Sequence, residues 1–202
     1  MSTINVEGRD DAAAGPLPAG HILLSPLRLG AVQLANRILM APMTRTRAAV
    51  DGTASELMAE FYAQRASAGL VITEGTFPSA IGRAYLNQPG ICTDAHQRGW
   101  ARVADRVWAA GGRIFVQLMD SGRVSHPDML GGLTPVGPSA IRPRGWVHTG
   151  QGKKPFVAPR ALSTGEVRNL VGEFVRGARR ARAAGADGVE LHAANGLSLI
   201  HI

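Results

Sequence analysis

The 202-residue chain is predicted to fold as an α/β domain, a partial (βα)8 TIM barrel holding roughly the first four βα units. Three observations predict it. Short apolar runs alternate with amphipathic helical stretches from residue 38 onward. Those runs are apolar throughout instead of at every second residue, as expected of strands buried on both faces of a parallel sheet. Polar residues gather at their carboxyl ends: Thr44, Glu74, Gln117 and His192 each stand at or just past one, the face on which a barrel builds its site. An open doubly wound sheet competes, but no GxGxxG follows the first strand, which weakens its dinucleotide-binding form.

The elements follow in order. Ile38 to Ala41 is a brief apolar run stopped by Pro42, read as a first strand entering a loop. Thr53 and Glu56 have the spacing of a capping box, which starts a helix by satisfying orphan amides reciprocally. That helix is expected to place Leu57 and Phe61 on one face and to stop near Gly69. Leu70-Val71-Ile72 is the second strand, ending in Thr73-Glu74-Gly75. Trp100, Val103, Val107 and Trp108 recur at helical spacing up to Gly111-Gly112, and Ile114-Phe115-Val116 is the third strand, running into Gln117. A second capping box, Ser163 with Glu166, opens a helix with the apolar stripe Val167, Leu170, Val171, Phe174 and Ala178. Gly185 closes it, and Gly188 to His192 is the fourth strand.

Residues 1–20 are rich in Ala, Gly, Pro and Asp and read as a disordered tail with no signal-peptide core. No apolar run is long enough to span a bilayer, so the expected location is cytoplasmic. The formal charge of +7 raises anionic partners, including nucleic acid. The one dense basic run, Arg176, Arg179, Arg180 and Arg182, has no interleaved aromatics for stacking bases and reads as a solvated helix face. The single cysteine, Cys92, excludes a disulfide framework and a CxxC metal site, and reads as an inert loop thiol. Ser121 to Leu162, Gly- and Pro-rich and aperiodic, reads as a lid or substrate loop.

Several strings then occur together: Ser25-Pro26-Leu27, Asn36-Arg37-Ile38, Met40-Ala41-Pro42-Met43-Thr44-Arg45 and Tyr62-Ala63-Gln64-Arg65-Ala66. They continue with Ile72-Thr73-Glu74-Gly75, Val116-Gln117-Leu118, Ser121-Gly122-Arg123-Val124-Ser125-His126 and Glu190-Leu191-His192-Ala193-Ala194-Asn195-Gly196. In this order and spacing the chain from Ser25 to Gly196 resembles the amino-terminal part of the old yellow enzyme family. The resemblance implies an FMN-binding barrel that takes hydride from NADPH or NADH and passes it to an activated alkene, an enone or nitroalkene. Pro42, Met43 and Thr44 would line the flavin, and Gly75 would let the backbone approach it. Gln117 would meet its pyrimidine edge, because a carboxamide offers an acceptor and donors side by side. His192 and Asn195 would hold the substrate oxygen on which charge develops. Tyr85 would border the substrate pocket. The partner would be a small electrophilic alkene, with no nucleic acid or membrane, and a homo-oligomer is left open.

The chain departs from the family at three points. Leu197 stands where relatives carry a proton-donating tyrosine, and Asp120 where many have histidine. Residues 197–202 read as an atypical, non-native terminus after the half-barrel of residues 21–196, and the chain by itself is expected to be inactive. The competing readings are a flavin-free TIM-barrel enzyme on a phosphorylated substrate, for which Glu74 is the only strand-end base candidate, a non-catalytic half-barrel, and a basic nucleic-acid binder.

Overall fold

The structure is a computed structural model and describes residues 20–194. The tail up to residue 19, Asn195 and the atypical terminus lie outside the described residues. A hairpin comes first, strands β1 (Leu27–Leu29) and β2 (Val32–Leu34), antiparallel and joined at Gly30. Strand β3 (Leu39–Met40) follows, then helix α1 (Glu56–Ala63), strand β4 (Leu70–Ile72), helix α2 (Asp94–Ala109) and strand β5 (Ile114–Leu118). Four short strands precede the last helix: β6 (Val136–Gly137), β7 (Trp146–Thr149), β8 (Gly152–Pro155) and β9 (Arg160–Ala161). Helix α3 (Thr164–Ala183) then leads into strand β10 (Gly188–Leu191). Strands β3, β4, β5 and β10 form one parallel sheet in that order, each joined to the next through a helix. This is the predicted four-unit portion of a barrel.

Strand geometry divides the sheet into two apolar faces, because successive side chains point to opposite sides. Val71, Ile114, Val116 and Leu118 face the helices and join Met58, Tyr62, Trp100, Val103, Val107, Leu170 and Phe174 in the main core. Leu70, Ile72 and Phe115 face the other way and pack with Leu34, Leu27 and Val32 of the hairpin. The hairpin therefore covers one end of the concave face. Gln117 lies two residues beyond Phe115, and in register Gly188 pairs with Phe115 and Glu190 with Gln117. Gln117 and Glu190 consequently stand side by side on that same face, past the apolar plug.

Gly188 is a glycine for a steric reason. A Cβ there would lie 2.7 Å from two Phe115 ring atoms, well inside van der Waals contact. Gly188→Ala is expected to cost about 1–3 kcal/mol through overpacking, read from chemical denaturation. An unchanged midpoint would mean that the Phe115 ring gives way freely.

Several local expectations are corrected. Helix α1 is capped by Ser55, whose hydroxyl accepts from Met58 N, and not by a Thr53–Glu56 box. Thr53 is drawn back instead, its amide and hydroxyl both donating to the Asp51 carboxylate at 2.9 Å. Within the helix Met58, Ala59 and Tyr62 are buried while Leu57 is 60% exposed. The Ser163–Glu166 box is present, and Arg160 helps hold the Glu166 carboxyl down to about 2. In α3, Leu170 and Phe174 are buried but Val171 is exposed, and Trp108 of α2 lies half outside with Arg113 over its ring. Residues 121–162 are not structureless. Strands β7 and β8 make a hairpin, Lys154 of β8 pairs with Asp128 at 2.6 Å, and β6 pairs with β9. Arg176 and Arg180 are paired with Glu173 and Asp94, which accounts for two of the four arginines in the basic run. Among the described residues no helix is long and apolar enough to cross a membrane.

Candidate active site

A cavity of about 400 Å³ opens at the carboxyl ends of the parallel strands, lined by Pro42, Thr44, Tyr85, Gln117, Met119, Val124 and His192. Five residues singled out in the sequence, from four separate stretches of chain, thus meet at one place. Each is held by its own local device.

The loop after β3 carries Pro42 and Thr44 and is tied down by Glu74. This carboxylate is fully buried. Its Oε2 accepts from the amides of Arg45 and Thr46 at 2.9 and 3.1 Å, and its Oε1 accepts from the Tyr62 hydroxyl at 3.2 Å. The Tyr62 oxygen in turn accepts from the Glu74 amide at 2.9 Å. Thr46, held by this clamp, has a φ of 53°, an uncommon conformation for a residue with a side chain. Burial pushes the Glu74 carboxyl up from its ordinary range, opposed by the two amides. With its oxygens committed in this way, Glu74 is a structural anchor and not an open general base, and the flavin-free reading loses its strand-end candidate.

Tyr85 is placed by Gln88, whose amide is fully buried. Gln88 Oε1 accepts from the amides of Ala84 and Tyr85 at 2.9 and 3.2 Å, and Nε2 donates to the Gly75 carbonyl at 3.0 Å. Gly75 is not on the cavity wall. Its missing Cβ makes room for Met119, whose Cε and Sδ would lie 2.6 and 2.7 Å from it; the close approach that Gly75 permits is to Met119, and Met119 forms the wall. Met43 is 57% exposed and stands off the cavity, near Arg45.

Gln117 belongs to β5 itself, one or more residues deeper than a strand ending at Val116 implies. Its Nε2 donates to Glu190 Oε1 at 2.7 Å, and its amide donates to the Thr73 hydroxyl at 3.0 Å. His192 follows β10, with its amide donating to the Leu118 carbonyl at 3.0 Å. Its Nδ1 accepts from the Ala194 amide at 3.3 Å. A backbone N–H can only donate, so Nδ1 is the bare nitrogen and Nε2 carries the proton. Asp120 points away from the cavity, against Gly82, and its Oδ1 accepts from the Gly122 amide at 2.8 Å. Cys92 is buried enough that its thiol is pushed up, with His96 Nδ1 3.7 Å away. Among the described residues no group of acidic, histidine and cysteine side chains could hold a metal ion.

Residues 22–201 match the model of the NADH:flavin oxidoreductase / NADH oxidase family. The chain belongs to that family. It is 44% identical over 179 residues to a chanoclavine-I aldehyde reductase of Penicillium roqueforti, covering 86% of this chain and 46% of that protein. A probable flavin mononucleotide-dependent alkene reductase of Leishmania infantum is 38% identical over 181 residues, covering 87% and 50%. Among solved structures, an old yellow enzyme homologue from Zymomonas mobilis superposes with a TM-score of 0.84 at 46% identity, covering 87% of this chain and 49% of that one. The chain therefore spans about half the length of the relatives it matches. Members of this oxidoreductase family use FMN with a reduced nicotinamide as hydride donor. Four contributions escaped the sequence: Met119 and Val124 as wall residues, the Glu74–Tyr62 pair and the Gln117–Glu190 pair. Strand register would have revealed the last of these.

Proposed function

We propose that this chain supplies the amino-terminal half of an FMN-dependent ene-reductase site, reducing small enones or nitroalkenes at the expense of NADPH or NADH. The observation that carries it is the convergence of Thr44, Gln117 and His192 on one cavity. Its donor set suits a flavin edge. Gln117, with one N–H committed to Glu190, keeps an acceptor and one N–H for a ligand, and Thr44 adds a hydroxyl. Among the described residues no carboxylate lines the cavity.

A bound FMN would supply the hydride chemistry between nicotinamide and alkene. Gln117 would hold its pyrimidine edge and Thr44 its carbonyl side, with Pro42 bordering it, whereas Met43 stands off the cavity. Gly75 acts through Met119. His192 donates Nε2–H to the substrate's carbonyl or nitro oxygen and stabilises the charge that develops there. Asn195 is proposed as its companion donor, and Tyr85 as the outer wall of the substrate pocket.

Four strands are half of the eight that enclose such a barrel. Activity is therefore proposed for this chain within a complete barrel, and inactivity for residues 1–202 alone. The setting is proposed to be cytoplasmic. The test uses the complete barrel loaded with FMN. It should be yellow and should oxidise NADPH or NADH faster when an enone is added. His192→Ala should weaken phenol or enone binding by about 1.5–3 kcal/mol, as for a hydrogen bond to a developing charge, with little loss of flavin. A colourless protein after FMN loading would sink the reading.

A further inference from the structure

Glu190 is not among the residues lining the site cavity, yet it is half-buried on the concave face in register with Gln117. The 2.7 Å contact between Gln117 Nε2 and Glu190 Oε1 has the length of a charge-assisted hydrogen bond. A carboxylate accepts and never donates, so only the nitrogen end of the carboxamide can face it. The backbone leaves little freedom for another arrangement. Gln117 N is bound to the Thr73 hydroxyl and its carbonyl accepts from the Thr76 amide at 2.9 Å. Glu190 is carried by a strand paired residue for residue with β5.

We propose that Glu190 is a positioning residue: it locks the Gln117 carboxamide in one orientation, so that the site presents Oε1 and a single N–H in fixed order and selects ligands with a complementary imide edge. This rests on the FMN reading above. An unrestrained amide exposes either end to a ligand, because its two faces differ little in shape. With Glu190 in place, the acceptor meets the ligand's imide N–H and the remaining N–H meets the adjacent carbonyl. The carboxylate does this from outside the cavity, one strand removed from the ligand.

Two measurements on the FMN-binding barrel separate this from a general packing role. In the first, made without flavin, the Gln117 side-chain amide is followed in nitrogen-15 spectra and identified by its loss in Gln117→Leu. One of its protons should exchange slowly in the parent protein and at least about tenfold faster in Glu190→Ala, since the bond that protects it is gone. Equal exchange in both proteins overturns the inference. The second compares FMN with 3-methyl-FMN, whose imide nitrogen has no hydrogen. Glu190→Gln, which allows both amide orientations, should weaken FMN by about fivefold to tenfold and 3-methyl-FMN by less than about twofold, the non-additivity expected of groups acting through one another. Equal weakening of the two flavins marks a purely structural role and overturns the inference. If neither flavin binds the parent protein, the functional reading fails, and the exchange measurement alone decides the role of Glu190.

Discussion

Trp100→Ala is expected to lower stability by about 3–5 kcal/mol, the range for deleting a large buried aromatic. Trp100 is only 1% exposed and stands where α2 meets α1, with its ring 6.3 Å from that of Tyr62. Its indole N–H donates to the Gly90 carbonyl at 3.0 Å, so the residue joins the core to the loop that follows Tyr85. Trp100→Phe keeps most of the volume and removes that donor. It should cost about 1–3 kcal/mol, the penalty of a buried carbonyl left without its partner. Chemical denaturation of the two variants separates packing from hydrogen bonding. A loss below 1 kcal/mol for Trp100→Ala would mean that the interface of the two helices collapses to fill the space.

Much of this fold was legible because buried parallel strands leave a plain trace. Leu70-Val71-Ile72 and Ile114-Phe115-Val116 are apolar on both faces, and the structure gives both faces apolar partners. Glycine and capping signals bounded the helices well at Ser163 and Gly185. They failed at Thr53, because a side chain that can cap a helix can equally close a turn, and the nearby Asp51 carboxylate was the stronger partner. Within α1 the face that turns inward is set by packing against α2 and not by the cap: Met58 and Tyr62 join the core and Leu57 does not. The hairpin at Trp146–Pro155 left no periodic signal. Its turn is made by Thr149, whose hydroxyl accepts from the Gln151 amide and donates to the Gly152 carbonyl, and its strands alternate too little in hydropathy to be seen.

The candidate site was legible where a polar residue ends an apolar run, as at Thr44, Gln117 and His192. Supporting contacts were not, since they join residues distant in sequence: Glu74 reaches back 29 positions to Arg45, and Gln117 forward 73 to Glu190. Gly75 illustrates a different difficulty. A glycine after a strand signals close approach, but only the fold tells what approaches, and here it is Met119.

Removal of the Glu74 carboxylate is the second large effect expected. Glu74→Ala leaves the Arg45 amide, the Thr46 amide and the Tyr62 hydroxyl without their acceptor. At about 1–3 kcal/mol for each buried unsatisfied group, the total should reach about 3 kcal/mol or more. The loop bearing Pro42 and Thr44 loses its tether, and FMN affinity of the complete barrel should fall with it. Glu74→Gln keeps one acceptor and much of the shape, so it should cost less and can be followed across pH. The folded carboxyl titrates above its ordinary value of 4.5 because burial disfavours the charge. Its protonated form is thus the one the fold favours. The associated stability is fully present below about 4.5 and is lost as pH rises through the folded value. Relative to Glu74→Gln, the parent protein should therefore lose stability as pH climbs above 4.5. Glu166 has the opposite sign: with Arg160 and Ser163 holding its carboxyl near 2, its contribution is present above 4.5 and disappears as pH falls toward 2. The two windows do not overlap, so a difference between parent and Glu74→Gln that stays constant from pH 4 to pH 8 would show that burial of Glu74 is fully offset by its amide partners.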